Sequence, residues 1–214
     1  MQSMSKIKYI FRDFGWVIVR YKIKLAFFKK ISRLYALDRS IVGPILSKYM
    51  YKIRIGKISE HDFRKKLSKD LKKPLPTQKN KNKIFAKDIH KIFVLNTSII
   101  AFVKKLKWLG YTSMVLSDIF KPTKKIIKEE WRYDEFDKLI LSCDVWLSKY
   151  DDIQNETTKI FDYALKKYKI QPQEAIFIDD VEKNCIVAQH AWIKSIVAKG
   201  PRNTIREVKK MLKI

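Results

Sequence analysis

Glycine is scarce in this chain, with five among 214 residues, about 2% against a usual figure near 7%. Cysteine is scarcer still. Cys143 and Cys185 are too few for a disulfide framework, and neither has a second Cys or a His at metal-binding spacing. A thiolate metal site is thereby excluded and a reducing, cytoplasmic setting is expected. Long apolar runs are absent, so no membrane-spanning helix and no membrane partner are expected. The opening "MQSMSKIKYIF" lacks the charged, apolar and small-residue order of a secretory signal.

Acidic residues are also few, 22 against 47 basic ones, for a net charge of +25. Such a balance raises nucleic acid, anionic surfaces and polyanionic substrates as partners. However, 38 of the basic residues are Lys and 9 are Arg, scattered through every segment. Surfaces for phosphate backbones recruit Arg and cluster their charge. The abundance of Ile, Lys, Asn, Tyr and Phe instead looks like an AT-rich coding sequence. A nucleic-acid partner is left open and not favoured. A small phosphorylated substrate would benefit from the positive field. The residues set no oligomeric state.

What is present is apolar material enough for a globular protein, 46% hydrophobic and 13% aromatic. The length suits one core, or a core with a smaller subdomain. Short β-type runs at 7–11 and 17–19 flank "RDFGW". From about 21 to 92 the pattern is helical and amphipathic. Within it "RIGKISEHDFRKKL" carries a turn glycine, Gly56, and Ser59 as N-cap with Asp62 three residues on. "KKPLPTQKNKNK" (72–83) reads as a loop. A helix is predicted at 97–109, then strands at 112–117, 138–142, 174–180 and 194–198. Helices are predicted between and after them near 122–130, 157–168, 183–191 and 203–212. This alternation predicts an α/β fold, a doubly wound, Rossmann-like parallel sheet covered on both faces. The helical block after the first strand reads as an inserted all-helical cap subdomain at 20–92, with the core domain formed by 1–19 and 93–214.

In open α/β sheets ligands bind outside the carboxyl ends of the strands. Asp13 follows the first strand, Ser117 and Asp118 close the second, and Asp179 and Asp180 close a later one. Lys149 falls in the loop expected after "LILS". Clustered carboxylates repel unless a cation sits among them, and Mg²⁺ suits an oxygen-only site of a few carboxylates plus substrate phosphate. Ser117 and Lys149 would then hold phosphate oxygens, and one carboxylate would serve as nucleophile. Taken singly, each of these residues has a plainer reading, since a strand-end Asp often just caps the next helix.

These motifs resemble those of the haloacid dehalogenase-like (HAD) hydrolase superfamily, in its phosphatase branch with a small helical cap. "YIFRDFGWVIV", "MVLSD", "LSCDVWLSKYD" and "AIFIDDVEKNCIVAQ" resemble its four motifs in order, and "IGKISEHDF" resembles its cap segment. The resemblance runs from about residue 6 to 212. It implies a catalytic set of Asp13 as nucleophile, Ser117 and Lys149. It implies Mg²⁺ held by Asp13, the backbone carbonyl of Gly15 and Asp180, with Asp179 nearby, and Asp118 and Asn184 in support. The reaction implied is hydrolysis of a small phosphomonoester through an aspartyl-phosphate, under a cap that excludes water and selects the leaving group.

The chain departs from that pattern in several places. Gly15 stands where many members carry an acid/base Asp, although one branch has glycine there. Tyr150 replaces the usual proline after Lys149, "DDIQNETT" (151–158) is longer than usual, and Arg12 puts a charge in a strand expected to be apolar throughout. Four of the five tryptophans, Trp16, Trp131, Trp146 and Trp192, fall where the family pattern has glycine. Trp131 and Trp192 also follow predicted helices at the position where the backbone turns left-handed. A non-glycine residue there costs on the order of 1–2 kcal/mol. Either the tryptophans are genuine and the site is remodelled, or the gene uses UGA as a glycine codon.

His61, His90 and His190 lie in predicted helices without convergent spacing and read as surface residues. Cys185 reads as a small buried hydrophobe, Trp108 as partly buried surface. Phe27, Phe28, Tyr35, Tyr49 and Tyr51 read as cap core before substrate pocket. Two rival functions compete with the phosphatase. One is a catalytically impaired member used as a binding or regulatory module, with nucleic acid as a candidate ligand. The other is a carbon–halogen hydrolase, disfavoured because paired acids imply a metal.

Overall fold

The computed structural model describes residues 6–21, 26–74, 93–121, 123–124 and 136–214. Trp131, His90, most of the 72–83 loop and most of the helix expected at 122–130 lie outside them, as do the side chains of Phe27 and Phe28.

Strands of four to six residues with apolar centres make the central sheet. Its strands are β1 (Tyr9–Arg12), β4 (Thr112–Ser117), β5 (Lys138–Leu141), β6 (Ala175–Asp179) and β7 (Lys194–Val197). They pair in parallel in the order β5-β4-β1-β6-β7. Every residue of β6 is buried, as expected for a strand covered on both faces. On one face Phe11, Met114, Leu116 and Phe177 pack against Ile160, Phe161 and Ala188. On the other, Ile10, Ile176 and Ile178 meet Phe102, Leu106 and Val208.

The helices that supply these contacts are α4 (Thr97–Trp108), α7 (Lys159–Tyr168), α8 (Glu182–His190) and α9 (Pro201–Leu212). The sheet order reverses between β1 and β6, and the carboxyl ends of strands beside such a switch point are where this architecture places ligands. Asp13 and Asp179 stand at those two ends.

Two short strands, β2 (Val19–Tyr21) and β3 (Phe93–Leu95), pair antiparallel outside the main sheet. Sequence reading missed β3, a three-residue run too short to carry a period. Between these strands the chain forms α1 (Ala26–Tyr35), α2 (Arg39–Arg54) and α3 (Glu60–Asp70). The predicted Ser59 cap is present, its Oγ accepting from Asp62 N at 3.0 Å. These helices bury a core of their own, including Ile31, Tyr35, Leu46, Tyr49, Ile53, Phe63 and Leu67. Phe120, from the segment after β4, packs against it.

The all-helical unit meets the α/β unit at Gly56. Its φ is 71°, and a Cβ there would lie 3.0 Å from the Cys143 carbonyl oxygen. Nearby, buried Ser142 bridges the two units, accepting from Ile119 N at 3.0 Å and donating to the Arg54 carbonyl at 2.9 Å.

Candidate active site

The strand ends bring Asp13, Ser117, Asp118, Asp179 and Asp180 to one edge of the sheet. Asp13 N donates to the Ile178 carbonyl at 2.8 Å, so the β1–β6 ladder continues to the residue itself. One carboxylate oxygen from each of Asp13, Asp179 and Asp180 lies within 4.8 Å of the others. Ser117 Oγ accepts from Phe14 N at 3.4 Å, tying the end of β4 to the turn after Asp13.

Lys149 departs from the reading that placed it in a loop. It is the first residue of a helix, α6 (Lys149–Asn155), which follows the short α5 (Ser142–Val145). Ser148 Oγ accepts from Asp151 N at 3.0 Å, and Asp118 accepts from Lys149 N at 3.1 Å and Tyr150 N at 3.3 Å. Two side chains therefore satisfy the free N–H groups of this helix, and Asp151 and Asp152 favour its positive end. Asp152 then caps the next helix, accepting from Lys159 N, Ile160 N and Thr157 Oγ1. That is the structural use of the long "DDIQNETT".

Held this way, Lys149 Nζ sits 2.5 Å from Asp13 Oδ1 and 2.5 Å from Asp179 Oδ2. It also lies 5.4 Å from the centre of the Phe177 ring. Burial by itself lowers the pKa of the ammonium; the charges of Asp13, Asp179 and Asp118 outweigh it and raise the pKa. Burial pushes Asp13 up to about 7, with the Asp179 charge adding to the rise, while Lys149 and the Ser117 hydroxyl pull it down. Burial also raises Asp118, against the charges of Lys149 and Arg54. Asp180 is raised first by burial and then by the Asp179 charge.

Asp179 is fully engaged. Oδ1 accepts from Val181 N at 2.8 Å, and Oδ2 accepts from Asn184 Nδ2 at 3.0 Å as well as from Lys149. Asp13 and Asp180 are the more accessible carboxylates. The Gly15 carbonyl accepts from Val17 N at 2.7 Å, which uses one of its two lone pairs. Hard oxygen donors of this kind fit a divalent cation such as Mg²⁺.

Arg12 does not pair with a rim carboxylate. Successive strand residues face opposite ways, and Arg12 points into the sheet interior, where its Nη1 donates to Ser113 Oγ. Its Nη2 has no hydrogen-bond partner among the described residues. Burial lowers the guanidinium pKa to about 9, and the Asp137 charge opposes that. His61 and His190 are exposed. Cys143 and Cys185 are free and buried, and burial pushes each thiol up to about 11.

Sequence reasoning missed two residues of α2. Tyr51, assigned to the cap core, is instead half-buried, and burial raises its hydroxyl pKa, with the Asp151 charge adding to the rise. Arg54 acts on Asp118 by its charge and lies 6.0 Å from the Phe120 ring centre. Helical spacing alone could not show that this end of α2 overlies the strand-end loops.

No family model matches the chain. A 78-residue segment is 32% identical to mouse acyl-CoA dehydrogenase family member 10, covering 36% of this chain and 7% of that protein. Solved structures match over nearly the whole length. A HAD family enzyme from Bacteroides thetaiotaomicron superposes with a TM-score of 0.73 at 23% identity, over 91% of this chain and 95% of its own. A second structure of that enzyme is a complex with magnesium and inorganic phosphate, with a TM-score of 0.68 at 24% identity over 90% and 94% of the two chains. A predicted HAD-like hydrolase from Porphyromonas gingivalis gives 0.74 at 19% identity, over 98% and 100% of the two chains. With its five-stranded parallel sheet and these superpositions, this chain has the fold of the haloacid dehalogenase-like hydrolases.

Proposed function

We propose that this protein is a Mg²⁺-dependent hydrolase of a small phosphomonoester, a member of the HAD superfamily working through Asp13. The observation that carries the reading is the buried Asp13–Lys149–Asp179 constellation, with Asp180 beside it, at the sheet's switch point. The magnesium and phosphate bound by the B. thetaiotaomicron enzyme support it. The domain assignment is a core of 1–19 and 93–214 with a cap of 20–92, the chain crossing between them through the β2–β3 ribbon.

Asp13, Asp180 and the Gly15 carbonyl would hold Mg²⁺, with Asp179 nearby; when bound, the ion offsets the negative charge of the phosphate and the carboxylates. The remaining roles fall to side chains of the chain itself. Asp13 attacks phosphorus through a carboxylate oxygen, the leaving oxygen departs, and the aspartyl-phosphate is hydrolysed by water. Lys149 faces the attacking oxygen and stabilises charge on the transferring group. The Ser117 hydroxyl, fixed against Phe14 N, donates to a phosphate oxygen. Asn184 and Val181 N hold Asp179, which orients Lys149. Gly15 has no side chain to protonate the leaving group, so that proton comes from outside this turn. The α1–α3 cap shields the reacting groups from bulk water.

Hydrolysis of para-nitrophenyl phosphate, measured with and without Mg²⁺, tests the reading. Metal-dependent turnover that Asp13→Asn abolishes supports it. Turnover that survives either change rejects it.

A further inference from the structure

Gly110 and Trp192 occupy the same place in two helix ends. After α4, Gly110 N donates to the Lys107 carbonyl at 2.9 Å and Tyr111 N to the Leu106 carbonyl at 3.0 Å. After α8, Trp192 N donates to the Gln189 carbonyl at 2.9 Å and Ile193 N to the Ala188 carbonyl at 3.0 Å. This crossed pair is the Schellman closure, and the residue at its bend takes left-handed backbone, usually as glycine. Here φ is 86° at Gly110 and 61° at Trp192.

Trp146, ending α5, has φ 60°, and Trp16, in the turn after Asp13, has φ 56°. Lys72, Lys169, Lys213, Ala36 and Glu156 are also left-handed, so the conformation alone singles out nothing. The residue type does. Of the four described tryptophans, three are left-handed and only Trp108, inside α4, is not. A bulky side chain at positive φ is an outlier wherever it occurs. Tryptophan is worth its size when buried, yet Trp146 and Trp192 are 63% and 77% exposed.

From these three backbones we infer that residues 16, 146 and 192 are glycine in the protein the cell makes. The gene encodes them with UGA, which the cell reads as glycine and the written sequence renders as tryptophan. The loop beside the nucleophile is then Asp13-Phe14-Gly15 followed by a second glycine. That leaves the backbone without bulk where a phosphate would approach. The inference does not depend on the proposed activity.

Peptide sequencing by mass spectrometry, on protein purified from the source organism, decides it. The expected result is glycine at 16, 146 and 192; tryptophan at any of the three overturns the inference. A second measurement uses recombinant protein. The Trp146→Gly, Trp192→Gly double variant is expected to melt above the chain as written, because left-handed strain is relieved at two exposed sites. A lower or unchanged melting temperature counts against the inference. Neither measurement involves turnover, so failure here and failure of the hydrolase reading are separable.

Discussion

Lys149 and Asp13, 136 positions apart in sequence, meet at 2.5 Å inside the protein, and the same ammonium reaches Asp179 at 2.5 Å. The lysine is the counter-charge for two acids that the sheet forces together. Lys149→Met should therefore leave buried carboxylates unbalanced and cost roughly 3–5 kcal/mol of stability. Urea denaturation with and without Mg²⁺ measures this. The loss should be large without the ion and smaller with it.

The pH dependence of stability follows from Asp13, whose carboxyl is held near 7 against an ordinary 3.8. The unfolded chain releases this proton first, so between 3.8 and about 7 the folded state binds more protons. Its contribution is complete below 3.8 and is lost as pH rises through about 7. Asp118 and Asp180 shift in the same direction. Melting temperature in metal-free buffer should fall across that window, and Asp13→Asn should flatten the fall.

Ser142 joins the two units through one hydroxyl that serves Ile119 N and the Arg54 carbonyl. Ser142→Ala would strand a buried N–H and should cost about 1–3 kcal/mol. Denaturant unfolding reads the loss. A change within error would mean that the seam does not depend on this bridge.

Trp16→Gly should raise kcat/KM by about tenfold. Glycine removes the indole bulk from the turn where a phosphate would approach, and tenfold corresponds to about 1.4 kcal/mol of barrier. Steady-state kinetics with Mg²⁺ present checks it. An unchanged value would mean that the turn after Asp13 does not limit the chemistry.

Much of this arrangement is legible in the residues. Asp13, Ser117, Asp179 and Asp180 stand out because each follows an apolar run short enough to be a strand. Trp192 stands out because a predicted helix ends where it sits, whereas the four-residue helix that ends at Trp146 is too short to carry a period. The helix starting at Lys149 is not legible, because its cap comes partly from Asp118, 31 residues away. Nor are the placements of Tyr51 and Arg54, which depend on how the cap helices lie over the sheet. Arg12 was legible as an anomaly, but strand alternation, not the rim, decides where its charge goes.

If Asp13 is the nucleophile, it becomes phosphorylated during turnover. The most direct measurement is acid quenching during steady-state hydrolysis of para-nitrophenyl phosphate, followed by mass spectrometry of the peptide that contains Asp13. A phosphoryl group is expected on Asp13 in the active protein and none in Asp13→Asn, which should also lose turnover. Turnover by Asp13→Asn, or a phosphoryl group carried on another residue, would contradict it.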